Sequence, residues 1–212
     1  MIALLSSISL IFAYLMGSIP FAYLYGRLFK KRDIRELGSG NIGATNVMRI
    51  FGTKAGVTVL IMDVLKGYIP VFLVLLLMDS NKYEGINALD WLPVLVGIFC
   101  ILGHSFTCFL KFRGGKGVAT SAGVFMALSP LSFLAAITLF LIIVVITKYV
   151  SLGSMIAAAF IVVCNFVFFD FDYYIKGFTL LIGLFLIFKH KSNIKRLLSG
   201  TENKISIKKK ER

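Results

Sequence analysis

Apolar residues in this chain come as long runs with the polar residues gathered between them. The runs cover residues 3–26, 55–78, 91–110, 118–147, 155–169 and 177–188. Runs of about 20 apolar residues are long enough to cross a bilayer as helices. Lys and Arg cluster in the intervals: seven in 27–54, three in 111–117 and nine from Lys189 to Arg212. The intervals 79–90 and 170–176 are acidic instead, with Asp79, Glu84 and Asp90 against Lys82, and Asp170 and Asp172 against Lys176.

Basic loops stay on the cytoplasmic side, so the stretch from Lys116 to the acidic 170–176 loop must cross an odd number of times. Dividing the 118–147 run at Ser129-Pro130 satisfies this, because a proline cannot continue a helix without losing a hydrogen bond. Seven transmembrane helices result, the fourth of them short, with the N-terminus outside and the C-terminus cytoplasmic. An alternative of five passes would bring Asp170 and Asp172 into the bilayer, which is costly. The stretch before Arg27 holds no Lys or Arg, unlike a cleavable signal peptide, and is expected to remain as the first helix.

Composition agrees. Of 212 residues 58% are apolar and 16% charged, against about 45–50% and about 25% in soluble domains. A soluble globular enzyme is excluded, and the expectation is one integral-membrane domain over 1–212 with a basic tail from about 203. The net charge of +13 lies in loops and tail, where topology and anionic lipid account for it without nucleic acid. Cys100, Cys108 and Cys164 sit in apolar runs without metal or redox spacing, and are expected to be buried thiols.

Three polar segments carry the chemistry. Gly38-Ser39-Gly40-Asn41-Ile42-Gly43-Ala44-Thr45-Asn46-Val47-Met48-Arg49 contains GxGxxG, but no strand–turn–helix unit fits its flanks, so dinucleotide binding is rejected. What survives is an anion-binding loop: glycines open the backbone N–H groups, and a helix starting near Ala44 would present its N-terminus with Thr45, Asn46 and Arg49 on one face. Arg49 suits a phosphate through paired hydrogen bonds. The second segment, Lys111-Phe112-Arg113-Gly114-Gly115-Lys116-Gly117, lacks the Walker pattern, since Leu110 and Gly117 stand where Gly and Ser or Thr are needed. It still reads as glycines around one lysine opening into a helix. In the third, Lys189 to Glu202, His190, Asn193 and either Arg196 or Leu197 follow one face of a continued helix. Asp63 and Lys66 pair within the second helix, and Ser154 is either a helix N-cap or a phosphate donor.

Together these segments resemble the bacterial acyl-phosphate:glycerol-3-phosphate acyltransferase family. GSGNIGATNVMR at 38–49, GHSF with FRGGKGVAT up to 120, and KHKSNIKRLLSGTE at 189–202 match its three cytoplasmic motifs, with GSIP at 17–20 and DVLKG at 63–67. One departure is Thr107, where the family has proline, which concerns the backbone at the end of the third helix. The resemblance implies acyl transfer from acyl phosphate to the 1-hydroxyl of sn-glycerol 3-phosphate at the bacterial plasma membrane, giving lysophosphatidic acid and phosphate, without cofactor or metal. Carried over by motif, Ser39, Arg49, Lys116, His190 and Asn193 form the catalytic set, and Gly40, Asn41, Gly43, Thr45, Asn46, Gly114, Gly115, Gly117 and Ser154 bind substrate. The proton of the attacking hydroxyl goes either to His190 or to the substrate's own phosphate. Two other classes stay open on the residues alone: an organic-phosphate transporter and a non-catalytic membrane scaffold.

Overall fold

A computed structural model describes residues 2–79 and 89–205. Lys82 and Glu84 of the acidic interval, and residues 206–212 of the basic tail, lie outside the described residues. Those described are helical or loop, without strands. The helices are α1 Ile2–Ser18, α2 Phe21–Lys30, α3 Ala44–Phe51, α4 Thr53–Asp79, α5 Leu92–Ser105, α6 Val118–Leu128, α7 Pro130–Thr147, α8 Val150–Val163, α9 Tyr173–Lys189 and α10 Lys191–Leu198.

Four stretches are long and apolar enough to cross a bilayer alone: α4, α7, Leu92–Leu110 and Val150–Phe168. The bent pairs α1–α2 and α9–α10 bring these to six, and α6 is a shorter apolar helix. The run 118–147 is divided at Ser129, the last cap of α6, with Pro130 opening α7. The run 155–188 is also interrupted, between Phe168 and Tyr173, so neither is the single helix that the five-pass alternative needed.

Two expectations are corrected. The first run is not one straight helix, because it bends by 44° between Ser18 and Phe21. Pro20 has no N–H to give and restricts Ile19 before it. The last helix likewise does not continue through His190; α9 and α10 meet there at 55°. Cys108 lies in a one-turn 3-10 helix and is only half buried, whereas Cys100 and Cys164 are buried thiols as expected.

Glycines set the helix spacing. A Cβ at Gly17 would stand 2.2 Å from the Cys100 carbonyl oxygen, and one at Gly103 2.3 Å from that of Tyr14, so α1 and α5 touch backbone to backbone. Gly67 and Gly123 do the same between α4 and α6. Lipid tails are as apolar as leucine, so such close approach is what holds membrane helices together. A second, smaller apolar cluster, including Ile34, Val47, Val59 and Leu110, lies beneath the first polar loop. Asp33 fastens that loop, pairing with Arg27 at 2.9 Å and Arg35 at 2.7 Å, and the guanidinium hydrogen bond from Arg35 leads in pulling its carboxyl down to about 2.

Candidate active site

The three polar segments meet around one cavity of about 710 Å³. Ser39, Thr45, Arg49, Lys116, His190 and Asn193 line its polar end, while Phe125, Phe133, Ile137, Phe140, Ala157 and Ile161, from α6, α7 and α8, line its apolar interior.

The first loop is shaped by Asn46. Buried in α3, its Oδ1 accepts the Ser39 N–H at 3.0 Å, and its Nδ2 donates to the carbonyls of Leu37 at 3.0 Å and Asn41 at 3.1 Å. Gly38 and Gly40 take left-handed φ of 61° and 70°, open to glycine at little cost. Gly43 caps α3, which begins at Ala44 as the sequence predicts, so Thr45 stands in the first turn at the helix's positive end and Arg49 follows one turn later, in the last turn of this short helix. Gly40, Asn41 and Gly43 border the cavity. Asn46 borders it too, but both ends of its amide are spent on the loop.

The second segment differs from expectation. Gly117, at φ 89°, caps α6 and lines the cavity beside Lys116, but Gly114 and Gly115 do not line it. Their N–H groups donate to the carbonyls of Ser105 and His104 at 3.2 and 3.1 Å, so they are not free for an anion. Thr107, in the family's proline position, sits at φ −64°, a proline-like angle, and its hydroxyl donates to the Ser18 carbonyl at 2.6 Å.

The third segment closes the polar end. Lys116 Nζ donates to Asn193 Oδ1. Asn193 Nδ2 donates to Glu202 Oε1 at 2.7 Å, which also accepts the Ser151 hydroxyl at 2.8 Å, while Arg196 Nε reaches Glu202 Oε2 at 2.7 Å. Glu202 and Ser151 are organising residues to which the sequence assigned no role; the signal was one acid within a basic run. Ser154 is not an N-cap, since α8 begins at Val150, whose carbonyl accepts the Ser154 hydroxyl. It too lines the cavity.

Charge states follow from this packing. Burial leads in lowering Lys116 to about 8; the Glu202 carboxylate pulls it up, and the cations of Arg196, Arg49 and Lys189 push it further down. Burial, then the Lys116 ammonium, pushes His190 down to about 4, leaving it neutral. His190 Nδ1 lies 2.8 Å from the Leu186 carbonyl, which only accepts, so the proton sits on Nδ1 and Nε2 keeps the lone pair. Burial works to raise Glu202, but the hydrogen bonds of Asn193, Ser151 and Arg196 hold it below the usual carboxylate range.

Residues 7–200 match the family model described as glycerol-3-phosphate acyltransferase. The chain is 46% identical over 198 residues to glycerol-3-phosphate acyltransferase 2 of Bacillus anthracis, covering 93% of this chain and 98% of that one. It is 42% identical to the Bacillus subtilis glycerol-3-phosphate acyltransferase, covering 95% and 98%. Among solved structures it is similar to PlsY (YgiH), an integral membrane glycerol 3-phosphate acyltransferase. The glycerol 3-phosphate form superposes with a TM-score of 0.85 at 37% identity, over 95% of this chain and 96% of that one. The lysophosphatidic acid form gives 0.83 at the same identity and coverage. A loop-rich polar mouth over an apolar cavity, in a helical membrane chain matched along nearly its whole length, leads to one conclusion: this chain belongs to the glycerol-3-phosphate acyltransferase family and is an integral-membrane acyltransferase.

Proposed function

We propose that the chain transfers a fatty acyl group from acyl phosphate to the 1-hydroxyl of sn-glycerol 3-phosphate, releasing lysophosphatidic acid and inorganic phosphate. The observation that carries this reading is the two-part cavity. Both substrates bring a phosphate, matched by Arg49, Lys116 and the N-termini of α3 and α6, and one brings an acyl chain, matched by the aromatic and aliphatic interior. An acyl phosphate is a mixed anhydride with a good leaving group, so the hydroxyl oxygen attacks the acyl carbon directly and the carbon–oxygen bond to phosphate breaks, without an enzyme nucleophile.

In this reading Arg49 grips phosphate through paired hydrogen bonds, and Lys116 supplies a point charge to the leaving phosphate. Ser39 adds a hydroxyl and Thr45 another, while Asn193 fixes where Lys116 points. His190 accepts the glycerol hydroxyl's hydrogen bond at Nε2 and aligns it. The proton then goes to a substrate phosphate, whose second pKa of about 6 makes it the stronger base than an imidazole near 4.

The same reading treats the chain as one domain in the bacterial cytoplasmic membrane, crossing seven times with α6 as the short fourth pass. The N-terminus lies outside, and the polar mouth and C-terminus are cytoplasmic. The support is that the cation-rich segments 27–54, 111–117 and 189–204 are the ones that supply the polar mouth, through Arg49, Lys116 and Arg196.

The test is purified protein offered acyl phosphate, acyl-CoA or acyl carrier protein thioester, with lysophosphatidic acid and free phosphate both measured. One phosphate released per lysophosphatidic acid from acyl phosphate is the expected result. Equal rates with the thioesters would overturn the donor.

A further inference from the structure

Beneath the mouth lies a second group of ionisable residues for which the proposed reaction has no use. Asp63, Lys66 and His104 are 1%, 2% and 6% exposed, on α4 and α5. Lys66 Nζ lies 2.7 Å from Asp63 Oδ1 and donates to the Ile19 carbonyl at 2.8 Å, at the bend between α1 and α2. His104 Nδ1 faces the same Asp63 oxygen at 3.7 Å, too far for a hydrogen bond but close enough for attraction. A buried ion pair in a bilayer is costly, and an apolar pair of similar volume would serve stability at least as well.

What lies on the other edge of the imidazole gives it a use. A Cβ at Gly115 would stand 2.2 Å from His104 Nε2, so the backbone of Gly115, next to Lys116, rests directly on the ring edge. The Gly115 N–H also donates to the His104 carbonyl at 3.1 Å. The contacts thus run unbroken from Ile19 through Lys66, Asp63 and His104 to the residue before Lys116. Asp63 and His104 reach the cavity wall as well.

We propose that His104 is a positioning residue for Lys116, its ring serving as the floor on which the Gly115–Lys116 backbone sits, with Asp63 and Lys66 locking the ring in place. This rests on the reading that Lys116 binds phosphate. A displacement of the floor moves the ammonium relative to Asn193 and the α6 N-terminus, and a shift of about 1 Å in such a site costs about a hundredfold in rate.

The test is a double-mutant cycle read by inorganic phosphate binding to the purified protein, measured as the rise in thermal midpoint with phosphate. Gly115→Ala weakens phosphate binding about tenfold in the otherwise native chain and less than about twofold on a His104→Ala background, where the methyl group has room. Gly114→Ala is the internal control, because its added Cβ would meet the His104 carbonyl oxygen at 2.0 Å, a backbone atom that His104→Ala leaves in place. It costs the same on both backgrounds. Asp63→Asn, nearly isosteric, weakens phosphate binding in the native chain and has no further effect once His104 is Ala, which keeps the idea testable if Gly115→Ala fails to fold. An equal penalty for Gly115→Ala, or for Asp63→Asn, on both backgrounds would overturn the assignment. Turnover of acyl phosphate by the unmutated protein is followed in parallel: its absence sinks the reading of the reaction, while the phosphate cycle still decides the role of His104.

Discussion

Lys116 Nζ donates to the side-chain oxygen of Asn193, joining the second polar segment to the third across 77 residues of sequence. Asn193 in turn leans on Glu202, so the ammonium is aimed by a relay of amide and carboxylate rather than left to swing on its four-carbon stem. Replacing Lys116 by Ala removes a charge at the leaving phosphate, and Asn193→Ala frees that charge to wander. Each is expected to lower kcat/KM by about a hundredfold or more. The double variant should be little worse than Lys116→Ala, which kinetics on all three will check.

The charge states set the pH profile. Lys116 must be protonated to hold phosphate, so kcat/KM falls as pH rises through about 8. On the acid side, a substrate phosphate acting as base gives a limb near about 6, whereas a limb near 4 would point to His190. In His190→Ala the acid limb should stay where it was while the KM for glycerol 3-phosphate rises.

Glu202 is the counter-charge that raises Lys116, partly offsetting burial. Glu202→Gln keeps the shape but loses the charge, so Lys116 gives up its proton sooner and the alkaline limb moves below pH 8. The weakened bonds to Asn193, Ser151 and Arg196 should raise KM about tenfold, a change visible in initial-rate measurements.

Ala157 lies on the apolar wall of the cavity with Phe133, Ile137 and Phe140. Ala157→Phe narrows that wall without touching the polar mouth. Rates with long-chain acyl phosphates should fall at least about tenfold relative to short-chain ones, since each excluded methylene forfeits about 0.8 kcal/mol of burial. Competition between donors of two lengths measures the ratio directly.

The α4–α6 contact depends on Gly123, where a Cβ would come within 2.0 Å of the Val64 carbonyl oxygen. Backbone cannot retreat as a side-chain tip can. Gly123→Ala should therefore destabilise the protein by about 1–3 kcal/mol, seen as a drop in the thermal midpoint.

The sequence by itself determined the helical membrane class, the break at Ser129-Pro130, the α3 start at Ala44 and the three polar segments, because hydrophobic run length, proline chemistry and glycine clustering are local properties written residue by residue. The bends at Pro20 and His190 were less legible: whether a helix breaks or continues depends on which neighbours take its freed carbonyls, as Lys66 takes that of Ile19. Only the tertiary structure decided that Asn46 spends its amide on the loop, that Gly114 and Gly115 serve the backbone of α5 instead of the cavity, and that Glu202 and Ser151 close the relay around Asn193. Those assignments join atoms far apart in the chain, and nothing in local pattern or spacing specifies which distant donor a carbonyl or carboxylate will meet once the helices have packed.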